Sequence, residues 1–319
     1  MTRPASGEDA RSGMKRIFGP VPSRRLGLSL GVDVVPHKTC TFDCVYCECG
    51  ATTKKTCARE TFFAPDEILG ELDRWLSSAA VKPDVVTLSG SGEPTLYARM
   101  GELIDGAKRL TGLPFAVITN SSLLWMNEVR EELSRADIVV PSLDAAVRED
   151  YLRVNRPHAE CTLERLVGGL ETFLASYRGT ALLEVLLVGG YNAGEANLEA
   201  LRGTIGRLRA DRIQLNTAVR PGTEPGVEPL DGETLERIRR TFGPRCDVIA
   251  PAATRRRSRE GTVLEETILA LLSRRPCTAA DMCAAFGAPP PVVDEVLKKL
   301  VTESKIKAER RGDSLYYRR

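Results

Sequence analysis

The 319-residue sequence predicts an α/β protein, a partial (β/α)6 TIM-like barrel followed by a small C-terminal winged helix-turn-helix domain. Between about residues 30 and 220, short apolar runs alternate with longer stretches of helical periodicity, which is the pattern of repeated strand–helix units. The runs are apolar almost throughout, which is typical of parallel strands buried on both faces. Residues 262–319 show a different pattern, three short helices and a hairpin, as in winged helices.

Six apolar runs define the strand–helix units of the barrel. The predicted strands are Gly31–Pro36, Asp84–Ser89, Phe115–Thr119, Asp137–Leu143, Leu182–Val188 and Arg212–Thr217. The helices between them are predicted at Pro65–Ser78, Leu96–Leu110, Leu124–Ser134, Thr162–Ala175 and Ala196–Leu208. Such units, joined by right-handed crossovers, form a doubly wound sheet or a barrel. Six units are too few for the usual eight-stranded barrel, so we expect a partial one.

The chain divides into four predicted regions. Residues 1–16 form a polar tail that we expect to be disordered, 17–250 the barrel, 251–261 a basic linker and 262–319 the C-terminal domain. Helices of that last domain are predicted at Leu264–Ser273, Thr278–Phe286 and Pro290–Glu303. We expect the two domains to be independent, so that removing residues 258–319 leaves the barrel's own reaction intact but impairs action on the true substrate.

The composition is that of an ordinary globular protein, with 42% apolar residues, 28% charged residues and a net charge of +2. No apolar run approaches the roughly 18 residues that a membrane-spanning helix needs, and the N-terminus lacks the apolar segment of a secretory signal. We therefore expect a cytoplasmic protein with reduced cysteines and no membrane partner. Five of the nine cysteines lie between positions 40 and 57, which indicates a metal site rather than disulfides.

The segment 38–50, KTCTFDCVYCECG, contains the metal-ligand candidates Cys40, Cys44 and Cys47 in the spacing C-x3-C-x2-C. Iron–sulfur clusters take thiolate ligands, usually four, so three cysteines leave one iron open to the amino and carboxylate groups of a bound molecule. A structural zinc is the alternative, with Cys49 or Cys57 completing four thiolates. The loop follows the first predicted strand, at the strand end where barrel active sites lie.

In that position the motif resembles the radical S-adenosylmethionine (SAM) superfamily, which uses C-x3-C-x-aromatic-C in this loop. The resemblance implies that Cys40, Cys44 and Cys47 bind a [4Fe–4S] cluster and that Tyr46 contacts the adenine of SAM. It implies reductive cleavage of SAM to a 5′-deoxyadenosyl radical that abstracts hydrogen, with electrons from flavodoxin or ferredoxin. Cys49 and Cys57 are expected to have structural roles.

A second match follows the second predicted strand. Ser91-Gly92-Glu93-Pro94, preceded by Gly90, resembles the Gly-Gly-Glu-Pro element of the superfamily, with serine for the first glycine. The resemblance implies a cofactor-binding loop in which Gly92 and Glu93 hold the amino group of SAM. Glycines allow the close backbone approach that such binding requires. In isolation the segment would equally be a Gly/Pro turn.

Polar residues at the remaining strand ends are further candidates, because they would line the pocket above the sheet. We predict cofactor contacts for Asn120, Ser142 and Asp144. Substrate contacts are predicted for Arg153, Asn155, Arg156, Gln214 and Asn216, with His158 in the same polar segment.

Residues 17–250 resemble an uncharacterised branch classed beside the wyosine base synthases, which rebuild a tRNA guanosine. The segments that carry the resemblance are 19–50, SGSGEPTL, VPSLDA, NRPH and QLNTAVRP. Archaeal wyosine synthases hold a second cluster on N-terminal cysteines, whereas no cysteine precedes Cys40 here. A related fold is therefore expected, with the reaction left open.

The C-terminal end is basic, which bears on the substrate. The cations are Arg255–Arg257, Lys305, Lys307, Arg310, Arg311, Arg318 and Arg319. Winged helices with such charge often bind nucleic acid through the third helix and the wing, so modification of tRNA or another nucleic acid is the first hypothesis. An activase or maturase acting on a protein or peptide is the second. A non-enzymatic, zinc-dependent DNA-binding regulator is the third.

Overall fold

The computed structural model describes residues 16–23, 25–79, 81–249, 265–286 and 288–319. The expected tail, apart from Arg16, and the expected linker with Arg255–Arg257 lie outside the described residues. Within the described ranges, no helix has both the length and the apolar character needed to cross a membrane.

The described residues contain thirteen strands and ten α-helices. The strands are β1 (Ile17–Ser23), β2 (Gly27–Val32), β3 (Thr39–Cys40), β4 (Lys54–Lys55), β5 (Val85–Leu88), β6 (Phe115–Thr119), β7 (Ile138–Pro141), β8 (Thr180–Leu187), β9 (Arg212–Thr217), β10 (Cys246–Val248), β11 (Cys277–Thr278), β12 (Lys307–Arg311) and β13 (Ser314–Arg318). The helices are α1 (Pro65–Ser78), α2 (Met100–Thr111), α3 (Asn127–Leu133), α4 (Arg148–Asn155), α5 (Leu163–Ser176), α6 (Glu195–Arg207), α7 (Gly232–Phe242), α8 (Glu265–Leu272), α9 (Ala279–Phe286) and α10 (Pro290–Thr302).

Eight strands form one sheet in the order β1-β2-β5-β6-β7-β8-β9-β10. Every neighbouring pair from β2 to β10 is parallel, and β1 alone runs antiparallel to β2. The six predicted strands correspond, in the predicted order, to β2, β5, β6, β7, β8 and β9 of this sheet. The α/β class with a parallel sheet is therefore confirmed. The arrangement is consistent with a partial barrel.

Both faces of the sheet are covered by apolar side chains. One large cluster packs the outer face against the helices, and a smaller cluster lies on the opposite face. Members of the smaller cluster are Leu26, Val85, Ala116, Val140 and Leu182. Burial on two faces explains why the strands read as continuous apolar runs and not as alternating ones.

The two edge strands were not among the predicted six. The sequence of β1, Ile-Phe-Gly-Pro-Val-Pro-Ser, contains Pro20 and Pro22, which lack the amide hydrogen that a central strand must donate. An edge strand tolerates them, and the pairing of β1 with β2 is irregular between Phe18 and Val21. The other edge strand, β10, has only three residues.

Several predicted boundaries were wrong. The first strand ends at Val32 and not at Pro36, so a longer connection leads to the cysteines. The helix predicted from Leu96 is a short 3-10 turn followed by α2, because Ala98 donates to the carbonyl of Glu60 and holds the chain extended there. Helix α4, which contains Arg153 and Asn155 of the polar segment, was not among the predicted helices.

The C-terminal residues form a unit of three helices and a three-stranded sheet of order β11-β13-β12. Helix α9 begins with a reciprocal cap, in which Asp281 N donates to Thr278 Oγ1 at 3.1 Å and Thr278 N donates to Asp281 Oδ2 at 3.0 Å. The helices and the hairpin agree with the predicted ones, while the predicted start at Leu264 lies outside the described residues.

This C-terminal unit packs directly against strand β1 of the barrel. Val21 of β1 belongs to the same apolar cluster as Ile268 and Met282 of helices α8 and α9. The guanidinium of Arg274 lies over the ring of Phe18 in β1, 4.6 Å from the ring centroid, which is within the range of a cation–π contact. The C-terminal unit therefore buries apolar side chains of the edge strand β1.

Candidate functional site

The three candidate cysteines lie in an excursion of the chain at the carboxyl end of β2. Strand β3, which contains Cys40, pairs in parallel with β4, so the residues between them form a closed loop. The C-terminal end of helix α4 supports this loop, because Val45 N donates to Val154 O and Asp43 N donates to Asn155 O, both at 3.0 Å. The position agrees with the strand-end location expected from the sequence.

Each of the three cysteine sulfurs receives one N–H donor from a separate residue. Lys38 Nζ lies 3.0 Å from Cys47 Sγ. Asn155 Nδ2 lies 3.4 Å from Cys44 Sγ, and Asn120 Nδ2 lies 3.7 Å from Cys40 Sγ. Hydrogen bonds to sulfur stabilise anionic ligands and set the potential of an iron–sulfur cluster.

The thiols themselves are held in contrasting environments. Burial, reinforced by the charge of Glu93, raises the pKa of Cys40 to about 12, and burial raises the pKa of Cys44 above its usual range. The pKa of Cys47 is lowered to about 6 by a hydrogen bond from Cys49 and by the Lys38 ammonium. Buried thiols of raised pKa ionise when a metal compensates their charge, so the donor set fits an iron–sulfur cluster.

The single-zinc alternative finds no support in the part of the chain that the structure describes. There, no three Cys, His, Asp or Glu side chains converge as ligands of one metal ion. A four-iron cluster makes no such demand, because its thiolates bind separate irons.

The loop after β5 lies directly against the cysteine loop. A Cβ at Gly92 would stand 2.0 Å from Thr39 O and 2.7 Å from Val35 Cγ2, so only glycine allows this approach. Glu93 N donates to Thr39 O at 3.2 Å, and Lys38 N donates to Ser91 O at 2.9 Å. The structure thus brings the two predicted motifs together.

The carboxylate of Glu93 is already occupied by the protein. It is 2% exposed and accepts hydrogen bonds from Thr95 N, Thr95 Oγ1, Thr119 Oγ1 and Asn120 N. These bonds join the ends of β5 and β6. Any contact of Glu93 with a ligand therefore falls to its backbone, and Pro94 begins the 3-10 turn that follows.

Gly90 and Ser91 contact a buried aspartate that sequence reasoning missed. Asp33 Oδ2 accepts from Ser91 N at 3.1 Å and from Ser91 Oγ at 2.8 Å, and a Cβ at Gly90 would lie 2.2 Å from Asp33 Cγ. Arg274 Nε of the C-terminal unit lies 3.5 Å from the same Oδ2. The signal in the sequence was an acidic residue inside an apolar run, since a buried charge needs a partner.

Tyr46 and Asp144 form a network with the candidate ligand Cys44. The Tyr46 hydroxyl donates to Asp144 Oδ2, which also accepts from Asn155 Nδ2 at 2.9 Å. Burial raises the pKa of Asp144 to about 6. Asn155, predicted as a substrate residue, therefore lies between the sulfur of the candidate ligand Cys44 and the carboxylate of Asp144.

Two other predicted substrate residues make different contacts. Arg153 pairs with Asp150 and donates to Tyr191 O, and its side chain is half exposed. Arg156 pairs with Glu224 at 2.6 Å. None of the hydrogen bonds described for these two guanidinium groups goes to the cysteines.

The face of the sheet opposite the main helices carries a polar group near its carboxyl end. Glu184 Oε1 of β8 lies 2.7 Å from Arg25 NH1 and accepts from Asn216 Nδ2 at 3.0 Å. Gln214 is 7% exposed, and its Oε1 has no hydrogen-bond partner among the described residues. Ser142 bridges to Glu184 through the backbone. Arg25 and Glu184 were missed, although a glutamate within Leu-Leu-Glu-Val-Leu-Leu is the anomaly that could have identified one of them.

Comparison with known proteins gives consistent results. Residues 34–202 match the profile of the Radical SAM superfamily. The chain is 30% identical over 297 residues to a UPF0026 protein of Methanocaldococcus jannaschii, covering 91% of this chain and 87% of that protein. It is 35% identical over 298 residues to a protein of Brachyspira hyodysenteriae named GTPase Obg, covering 92% of this chain but 44% of that longer protein.

Two solved structures share the fold. A TYW1 structure with a lysine-pyruvate adduct bound superposes with a TM-score of 0.53 and 20% identity, over 70% of this chain and 75% of that one. A radical SAM methyltransferase from Sphaerobacter thermophilus gives a TM-score of 0.53 and 16% identity, over 69% and 65%. At such identities the likeness concerns the fold alone.

Proposed function

Because this chain belongs to the radical SAM superfamily, whose enzymes use a [4Fe–4S] cluster and SAM, we propose that Cys40, Cys44 and Cys47 hold the cluster and that SAM binds beside it for hydrogen abstraction from a substrate. The observation that carries the proposal is the delivery of one N–H donor to each of these three sulfurs. A non-enzymatic zinc regulator is set aside.

Different residues around the cysteines are proposed to bind different parts of SAM. Backbone groups of Gly92 and Glu93, in contact with the cysteine loop, are suited to the amino group of SAM, and Asn120 borders the same loop. Tyr46, fixed by Asp144, offers a ring face for the adenine. When bound, the cluster and SAM supply an electron and a 5′-deoxyadenosyl radical that removes hydrogen from the substrate.

The proposed substrate position is the cluster of polar side chains on the face of the sheet opposite the main helices. The cluster consists of Arg25, Glu184, Gln214 and Asn216. Gln214 Oε1 is a buried acceptor that needs a donor, so a substrate N–H or O–H group would satisfy it. The pair of Arg25 and Glu184 is internally compensated, and Asn216 adds an amide beside it. The site therefore suits a polar group without a large net charge.

The test of the cluster assignment is anaerobic. Protein purified without oxygen is expected to contain iron and sulfide and, with dithionite and SAM, to release 5′-deoxyadenosine. Cys44→Ala is expected to lose the brown chromophore and the product, whereas Cys49→Ala keeps both. The matched control is Cys283→Ala, a partly buried thiol on helix α9. Stoichiometric zinc without iron, or full activity of Cys44→Ala, would contradict the assignment.

We further propose that the C-terminal unit is a winged helix that binds RNA, the substrate class of the enzyme. Its order of three helices and a terminal hairpin supports the first part. Lys299 and Lys305 near the end of α10 are already paired with Glu265, whereas Lys307 and Arg310 of the hairpin are exposed. The hairpin is therefore the proposed phosphate contact, and not the third helix.

Salt dependence of tRNA binding tests this role. The double change of Lys307 and Arg310 to alanine is expected to weaken tRNA binding. It should also reduce the steepness of the plot of the logarithm of the binding constant against the logarithm of the salt concentration by about 2. Lys305→Ala, at a paired lysine nearby, is the control and is expected to change little. Absence of tRNA binding by the intact enzyme, or deuterium transfer from labelled peptides into 5′-deoxyadenosine, would favour the activase alternative.

Electron supply and compartment complete the proposal. Radical SAM enzymes need a reducing partner, and we propose a flavodoxin or ferredoxin. We place the enzyme in the reducing cytoplasm, where the nine cysteines of the sequence would stay reduced.

A further inference from the structure

A pair of cysteines outside the proposed cluster site lies in sulfur–sulfur contact. Cys57, which follows β4, and Cys161, which precedes α5, have Sγ atoms 3.2 Å apart. Both side chains are buried, and both thiols are free. Neither takes part in the proposed binding of the cluster or of SAM.

A histidine beside the pair is placed to accept a thiol proton. His158 Nδ1 lies 3.3 Å from Cys57 Sγ and accepts a hydrogen bond from Glu160 N at 3.3 Å. A ring nitrogen that accepts from an amide carries a lone pair and no proton. His158 can therefore act as the base that converts Cys57 to its thiolate, the form in which cysteine is a nucleophile.

The two thiols differ in the way that a nucleophile and a resolving thiol should differ. The hydrogen bond from Cys161 lowers the pKa of Cys57, while the same contact and burial raise the pKa of Cys161. Cys57 is also the less buried of the two, at 7% against 1% exposed. Attack by Cys57 and resolution by Cys161 is the order these differences favour.

We propose that Cys57 and Cys161 form a thiol–disulfide exchange site that reacts with low-molecular-weight disulfides such as glutathione disulfide. The Cys57 thiolate attacks one sulfur of glutathione disulfide, forming a mixed disulfide and releasing one glutathione thiolate. Cys161 then loses its proton and displaces the second glutathione thiolate from Cys57. The two protein thiols are oxidised to one disulfide, glutathione disulfide is reduced to two glutathiones, and the two thiol protons pass to these products.

The new bond would join two segments that both support the cysteine loop. Thr56 N, next to Cys57, donates to Cys40 O at 3.0 Å, and His158 N donates to Thr41 O at 2.8 Å. Linking Cys57 to Cys161 therefore restricts the separation of these supports. This expectation rests on the proposed cluster: the enzyme with the Cys57–Cys161 disulfide should lose iron to a chelator more slowly than the enzyme with both thiols reduced.

Peptide mapping of the full-length, anaerobically prepared enzyme tests the exchange site. After incubation with glutathione disulfide, free thiols are alkylated and the protein is digested with trypsin without reduction. Cleavage at Lys54, Lys55 and Arg59 separates Cys57 from the cysteines at 40–49. The expected product is a linked pair of peptides containing Cys57 and Cys161, lighter by two hydrogens than the separate peptides.

Three variants make the result specific. Cys161→Ser is expected to accumulate the mixed disulfide of Cys57 with glutathione, and His158→Gln to slow linking by about tenfold or more while reaching the same end point. Cys283→Ser, at an unrelated thiol, is expected to behave as the wild type. Iron content and thermal unfolding of each variant report whether it has folded.

Two results would overturn the exchange site: recovery of Cys57 and Cys161 as separately alkylated peptides from the wild type, or equal modification of Cys161 in Cys57→Ser. The Cys44→Ala enzyme distinguishes this proposal from the cluster assignment. Linking in that variant is expected to persist, and it requires no iron.

Discussion

The carboxylate of Asp33 in the barrel and the guanidinium of Arg274 in the C-terminal unit form a buried ion pair, with Nε 3.5 Å from Oδ2 and side chains 2% and 3% exposed. The same carboxylate binds Ser91 of the proposed SAM loop. Asp33 therefore connects the proposed RNA-binding unit with the loop that the proposal assigns to SAM.

Removing Arg274 should be strongly destabilising, because it leaves Asp33 buried without a counter-charge. Arg274→Ala is expected to lower the free energy of unfolding by about 3–5 kcal/mol, measured by urea denaturation at pH 7. The exposed pair of Arg207 and Glu171 provides the control, since Arg207→Ala should cost no more than about 1 kcal/mol. Equal losses in the two variants would show that burial of the Asp33 pair has no energetic weight.

Deletion of residues 258–319 should impair cleavage of SAM. The sequence favoured independent domains, but the deletion removes the partner of Asp33 and uncovers Phe18 and Val21 of β1. We expect lower iron content and less 5′-deoxyadenosine per cluster than in the full chain, with both measured anaerobically. Cleavage at the full-length rate would restore the view of two independent units.

Gly92→Ala should disrupt the proposed site. The added Cβ would lie 2.0 Å from Thr39 O, a backbone atom next to Cys40, so the cysteine loop must move. We expect a large loss of iron after reconstitution. In contrast, Gly203→Ala on the exposed face of α6 meets nothing within 4 Å and should stabilise the protein by up to about 1 kcal/mol. Similar iron content in both variants would contradict the close packing.

Asn155→Leu should lower the reduction potential of the cluster. Its amide donates to Cys44 Sγ, and a hydrogen bond to sulfur favours the more negative, reduced state. The loss of one such bond corresponds to a shift on the order of 50 mV. Redox titration followed by electron paramagnetic resonance measures it, with the exposed Asn127→Ala as the control. A potential equal to that of wild type would mean that the amide does not contact the ligand in the loaded enzyme.

Asp144 should contribute a pH dependence of stability. Burial raises its folded-state pKa to about 6 from the ordinary value of 3.8, so between these values the folded protein binds more protons than the unfolded chain. Stability from this group is therefore present at low pH and is lost as pH rises through about 6. On lowering the pH from 8 to 5, the free energy of unfolding of the wild type should rise by about 1.4 kcal/mol relative to that of Asp144→Asn. A constant difference between the two unfolding curves would contradict the raised pKa.

The parallel sheet could be predicted from the sequence, and the candidate cysteine site could be proposed from it, because both signals are local. A strand buried on two faces must be apolar throughout, as Val85–Leu88 is. Three thiolate ligands on one loop must appear as a short spacing, as the proposed ligands Cys40, Cys44 and Cys47 do. The edge strand β1 was not predicted for an equally local reason. Its prolines lack the amide hydrogen that a strand donates to its neighbour, so the segment does not have the pattern of a strand.

Contacts between distant residues were decided only by the tertiary structure. Asp33 contacts Arg274, and Cys57 contacts Cys161, although each pair is far apart in the sequence. No sequence spacing or motif indicates either contact. The sequence determined which chemical groups each strand end and loop would carry. Folding decided which of those groups became partners, because burial stabilises charged and reactive side chains only where packing supplies a counter-charge or a hydrogen bond.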